Sequence, residues 1–216
     1  MNITNIKKRI YTAFILLLIV ILIFKFNFLL LFFLLTFGAL STIEFFNITE
    51  KITRNKILKL IQNVTFILFI FIYCSLFFIF SGEIHLKIIL FILLSGCIAS
   101  DIGGLITGKI LKGPKLTSIS PNKTISGSFG SFIFSTLIMS MLFFYYTKIF
   151  NLNILGICLF TSLGCQIGDL FFSFLKRKAK IKDTGNILPG HGGILDRLDG
   201  IFLGIPSGLV SIELFF

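Results

Sequence analysis

Seven apolar runs, at 10–24, 26–46, 60–80, 86–100, 129–147, 152–172 and 198–216, constrain this chain more than any other feature. A helix needs about 20 predominantly apolar residues to cross the hydrocarbon of a bilayer. Most of these runs have that length, and the two short ones, the first and the fourth, are accommodated by snorkelling ends or local thinning. A mean hydropathy of +1.01 excludes an ordinary soluble domain. So does a composition of 56% hydrophobic and 13% charged residues. The predicted fold class is all-α, a polytopic helical membrane protein of about seven transmembrane helices. One membrane domain is expected over 1–216, with amino-terminal spans in 1–100 and a second half, 101–216, carrying loops at 101–128 and 173–197.

Charge sets the expected orientation. With the amino terminus in the cytosol, all 20 basic residues except Lys25, Lys87 and Lys148 fall on the cytosolic side. Lys7, Lys8 and Arg9 precede the first run as in a signal peptide, but no small-residue cleavage site follows. An uncleaved first span is therefore expected. Cys74, Cys97, Cys158 and Cys165 stand singly in apolar runs and suggest neither a zinc site nor a disulfide framework. Uncleaved spans and few cysteines suit a bacterial inner membrane.

Chemistry concentrates in residues 173–199, SFLKRKAKIKDTGNILPGHGGILDRLD, which hold six basic residues, three aspartates and one histidine. Topology does not call for acids there, because acidic residues contribute little to orientation. Asp196 and Asp199 are three apart and share one face of a helix. Asp169 follows Gly168 near the expected cytosolic end of the preceding span. Gathered carboxylates repel unless a cation sits between them. Hard oxygen ligands beside phosphate favour magnesium; the bland alternative is a set of salt bridges to Arg177, Lys182 and Arg197. The turn Pro189-Gly190-His191-Gly192-Gly193 lets backbone N–H groups approach an anion, and His191 can donate to a phosphate oxygen.

The loop after Asp101 is rich in glycine, serine and lysine, the composition of a phosphate cradle. Gly103 to Lys109 nears the P-loop pattern, but Ile110 replaces the magnesium-holding hydroxyl and no strand precedes it, so that reading is rejected. Lys123, in Ser120-Pro121-Asn122-Lys123-Thr124, is a candidate for a nucleotide phosphate. Gly200, Gly204 and Gly208 form a ribbon that lets helices approach closely, and the same face would suit a homodimer. Nothing in the sequence calls for a nucleic-acid partner.

These motifs together resemble the phosphatidate cytidylyltransferase (CDP-diacylglycerol synthase) family. Ser173, Lys176-Arg177, Lys182-Asp183, Gly185, Pro189, His191-Gly192-Gly193, Asp196-Arg197 and Asp199 match its carboxyl-terminal signature without a gap. Asp101, Gly103, Gly108-Lys109, Leu116, Ile119-Ser120-Pro121, Lys123-Thr124 and Gly127 match its earlier loop. Departures occur at Ile125-Ser126, at Gly200, and at Ile102 to Leu105. The resemblance implies a nucleotidyltransferase of phospholipid biosynthesis in which phosphatidate attacks the α-phosphorus of CTP and pyrophosphate leaves. It implies Asp169, Asp196 and Asp199 as ligands of magnesium and of a second metal ion where one binds, with Asp183 as a weaker ligand or orienter. Lys123, Lys176, Arg177, Lys182, Arg197 and Ser120 would bind phosphates, helped by His191, and the active site would face the cytosol. A CTP-dependent polyprenol-type lipid kinase and a degenerate non-catalytic homologue are the rival readings; release of CDP, or failure to bind magnesium-CTP, would mark them.

Overall fold

The computed structural model describes residues 3–121, 123–188 and 192–215, with side chains from Phe14 onward. Its named elements are all helical: α1 Ile3–Lys25, α2 Asn27–Ile52, α3 Lys56–Phe80, α4 Ile84–Leu111, α5 Ile125–Thr147, α6 Leu152–Lys178, α7 Leu195–Leu198 and α8 Ile201–Phe215. Among the described residues, six stretches are long and apolar enough to cross a membrane: α2 to α6, and Leu195–Phe215. The first expected span is represented by the shorter apolar stretch Phe14–Lys25.

The loops are shorter than expected. Where the apolar run stops at Ser100, α4 continues through Asp101 to Leu111, so Asp101 stands on a helix. Glycines that suggest a loop act here as contact points. A Cβ on Gly103 would lie 2.6 Å from the carbonyl oxygen of Gly130, and one on Gly127 would lie 3.0 Å from that of Gly104. Bare backbones let α4 and α5 touch at that level, the small-residue packing used between membrane helices. Likewise α6 extends to Lys178, which places Lys176 and Arg177 on its last turn.

Two compact units form: Met1–Lys87 with Leu175–Leu198, and Ile88–Phe174 with Asp199–Phe216. In the first unit α2 packs against α1, α3 and α7. Phe45 and Phe66 stack with centroids 3.9 Å apart, and Thr49 donates to Asn63 at 2.7 Å. In the second unit Leu93, Cys97, Met139, Ile157, Cys165 and Ile205 form a core with almost no exposure. The ribbon on α8 packs as expected: a Cβ on Gly208 would fall 2.6 Å from Leu93 and Thr161, and Gly204 meets Cys97 and Cys165.

Helix ends carry their own signals. Asn55 caps α3 by accepting from the N–H groups of Ile57 and Leu58 at 2.9 and 3.4 Å. Thr124 caps α5 through Gly127 N–H at 3.0 Å. Lys112, Lys148 and Lys180, each just beyond the end of a helix, have φ of 45°, 59° and 56°.

Candidate functional site

In the second unit the loop 112–124 folds back on itself. Leu116 N–H donates to Lys123 C=O at 2.8 Å, and Ile125 N–H donates to Pro114 C=O at 2.9 Å. Lys123 N–H closes a turn on Ser120 C=O at 3.0 Å. This turn carries Lys123 to Asp169, and the two form an ion pair with about a quarter to a third of each side chain exposed. Ser173, one helical turn further along α6, reaches the other Asp169 oxygen across 3.4 Å. Asp101 Oδ1 lies 3.6 Å from the thiol of Cys165.

A polar chain underlies them. Ser128 donates to Gln166 Oε1, and Gln166 Nε2 donates to Ser162 Oγ at 3.4 Å. Ser162 and Ser100 hydroxyls are 3.1 Å apart, and Ser131 Oγ donates to Ser100 C=O at 2.8 Å. Such links hold α4, α5 and α6 in register where apolar packing alone would not specify it. Asp199 is buried, its Oδ1 accepting from Gly200 N–H at 3.0 Å. A Cβ on Gly168 would lie 2.5 Å from Asp199 C=O.

In the first unit the signature loop is built around Asp196. Its Oδ1 accepts from Lys176 Nζ at 2.7 Å. Its Oδ2 accepts from Thr184 N–H at 2.8 Å and Gly193 N–H at 3.0 Å, with Thr184 Oγ1 at 3.1 Å. Gly192 turns this corner at φ +80°, where a side chain would meet Asp196. Arg177 donates to Ile181 C=O at 3.4 Å. Arg177, Lys182, Asp183 and Arg197 are exposed on this loop and its helix ends, whereas Lys176 is buried. His191 lies outside the described residues.

Glu44 on α2 is the residue that sequence reasoning missed. It is 3% exposed. Oε1 accepts from Ile194 N–H at 3.1 Å; Oε2 accepts from Leu195 N–H at 2.9 Å and from Thr184 Oγ1 at 2.6 Å. Gly185 and Gly193 let the loop come this close, since a Cβ on either would stand 2.7 or 2.6 Å from Oε1. A carboxylate in a membrane helix costs about 2.5–3.5 kcal/mol on insertion scales, and three donors offset that cost here. Its only signal in the sequence is an acid inside an apolar run.

The carboxylates fit a hard cation unequally. An ionised carboxylate offers about four lone-pair sites, and Asp196 accepts from three donors, Lys176 and the N–H groups of Thr184 and Gly193, with the Thr184 hydroxyl oxygen also against it. Asp169 has one cation and one long hydroxyl contact and remains partly exposed. Among the described residues no three His, Cys, Asp or Glu side chains gather at metal-binding spacing. Magnesium needs only one or two carboxylates when phosphate oxygens and waters complete its shell, so the partly exposed Asp169 fits that chemistry better than Asp196 does.

A family model described as "Cytidylyltransferase family" matches residues 42–215. The chain belongs to the cytidylyltransferase family. The match takes in Glu44, both loops and every aspartate discussed above. Among curated proteins, the chain is similar to a phosphatidate cytidylyltransferase of Staphylococcus aureus (strain COL), 45% identical over 111 residues, 50% of this chain and 42% of that protein. It is 42% identical over 116 residues to one of Rickettsia bellii (strain RML369-C), covering 49% of each. A Helicobacter pylori (strain J99 / ATCC 700824) relative is 39% identical over 110 residues, 51% of this chain and 41% of its own length. The matched stretch thus spans less than half the length of these relatives. The resemblance read from the two loop motifs agrees with the family found.

Proposed function

We propose that this chain transfers the cytidylyl group of CTP to phosphatidate, releasing pyrophosphate and forming CDP-diacylglycerol, with its loops on the cytosolic side of a bacterial inner membrane. The observation that carries this reading is the folding of the signature loop about Asp196, which leaves Arg177, Lys182 and Arg197 exposed on the loop and its helix ends. A phosphate oxygen of phosphatidate bonds to the α-phosphorus of CTP as the α–β bridging P–O bond breaks. The nucleophile is already anionic, so the protein's task is in-line positioning and charge neutralisation.

Lys123 neutralises triphosphate oxygens once it exchanges Asp169 for them. Arg177, Lys182 and Arg197 draw the lipid and nucleotide phosphates to the loop, and Lys176 keeps Asp196 and the turn in place. Ser120 adds a phosphate contact beside Lys123, and Asp199 orients that part of the chain; in the signature loop His191 adds a phosphate contact and Asp183 orients the loop. Magnesium, held by Asp169 with waters and phosphate oxygens, would supply Lewis-acid charge stabilisation at the phosphates. The named relatives support the substrates, and the six apolar helices support the membrane setting.

The test is incorporation of radiolabelled CTP into lipid by purified protein in phosphatidate-containing vesicles, with and without magnesium. Labelled CDP-diacylglycerol with release of pyrophosphate is expected. Release of CDP instead would assign a lipid kinase, and no nucleotide binding would assign a non-catalytic homologue.

A further inference from the structure

We infer that Glu44 is a positioning residue for the signature loop, acting on the phosphate-binding cations through Thr184 and Asp196. This rests on the cytidylyl-transfer reading above and deepens it by assigning a role to an acid from outside both loop motifs.

The geometry is a relay of short polar contacts within one unit. Glu44 takes the backbone N–H groups of Ile194 and Leu195, which open the short helix α7, and the hydroxyl of Thr184 at 2.6 Å. Thr184 passes the constraint on, with its N–H 2.8 Å and its hydroxyl 3.1 Å from Asp196 Oδ2. Asp196 Oδ1 holds Lys176 at 2.7 Å. The hydroxyl has one proton, and the shorter contact assigns it to Glu44, so Thr184 holds Asp196 through its backbone N–H.

The loop therefore does not set its own shape. Thr184 and residues 194–195 are fastened to a single buried carboxylate on a transmembrane helix, and Gly185 and Gly193 supply the clearance. An amide in that place fails chemically. Glutamine has one acceptor oxygen, so its NH2 group would face the backbone N–H of Ile194 or of Leu195.

The experiment compares wild type, Glu44→Gln, Thr184→Val and Glu50→Gln in the full chain, purified in detergent. Two readouts are taken: KM for CTP, and the rate of limited trypsin cleavage after Arg177, Lys178, Lys180 and Lys182. Glu44→Gln should raise KM for CTP by about 10- to 100-fold and accelerate cleavage in the loop. A loss of folded fraction alone would lower apparent kcat and leave KM unmoved. Thr184→Val keeps both backbone bonds to Glu44 and should raise KM by about 3- to 10-fold. Glu50→Gln, exposed near the end of the same helix, should match wild type.

Wild-type KM and wild-type cleavage in Glu44→Gln would overturn the inference. Where that variant does not accumulate, Thr184→Val decides alone, and unchanged values there overturn it equally. A wild type that makes no CDP-diacylglycerol would sink the catalytic reading, while the cleavage comparison would still test the anchor.

Discussion

Lys176 donates to Asp196 Oδ1 across 2.7 Å, with 11% and 6% of the two side chains exposed. Removing one partner of a buried pair leaves an uncompensated charge, which costs about 3–5 kcal/mol. Asp196→Asn would also turn an amide toward the N–H groups of Thr184 and Gly193. Asp196→Asn is expected to cut turnover more than about 100-fold with membrane insertion retained, measured as lipid product per inserted protein. Near-normal turnover would refute the role given to this pair.

Lys123 and Asp169 make an exchangeable pair rather than a buried one. If Lys123 binds the triphosphate as proposed, Lys123→Ala should raise KM for CTP about tenfold. Asp169→Asn should abolish the magnesium dependence together with most activity. EDTA should stop the wild type, with recovery on added magnesium; activity indifferent to chelation would remove the metal from this site.

Close approach makes two glycines sensitive. Ala at Gly193 would press on Glu44 and Thr184, and Ala at Gly103 would press on the backbone of Gly130. Each should destabilise by about 1–3 kcal/mol as overpacking does, read as a lowered midpoint of thermal unfolding in detergent. Gly82→Ala, whose Cβ would meet only Ile79 C=O at 3.2 Å, should shift it least.

Thr124 accepts from Gly127 N–H at the start of α5. Thr124→Ala should cost about 1 kcal/mol, and Thr124→Ser should restore most of it. Equal unfolding midpoints for the alanine and serine variants would show that the cap contributes nothing.

Hydropathy made the spans legible because each buries or presents apolar residues over a bilayer's depth. It misplaced the ends of α4 and α6, where helices outlast their apolar composition. At Gly103, Gly104 and Gly108 glycine reads as a breaker, and only the facing α5 backbone reveals it as a spacer. The signature motif located Asp196 and Lys176 but could not show that the aspartate's lone pairs are taken up by the loop itself. Glu44 stayed hidden for a different reason. Its partners lie in a loop at the far end of the chain, and no local spacing encodes a contact of that range.

Three helices finish beside a lysine in the left-handed region, at Lys112, Lys148 and Lys180. Glycine would relax that conformation at little steric expense, and lysine instead brings a cation to the negative pole of each helix. Swapping these lysines for glycine should therefore ease the chain's turning while stripping positive charge from three helix tips. Comfort of the main chain and a cation at the helix tip pull in opposite directions there, and the protein keeps the cation.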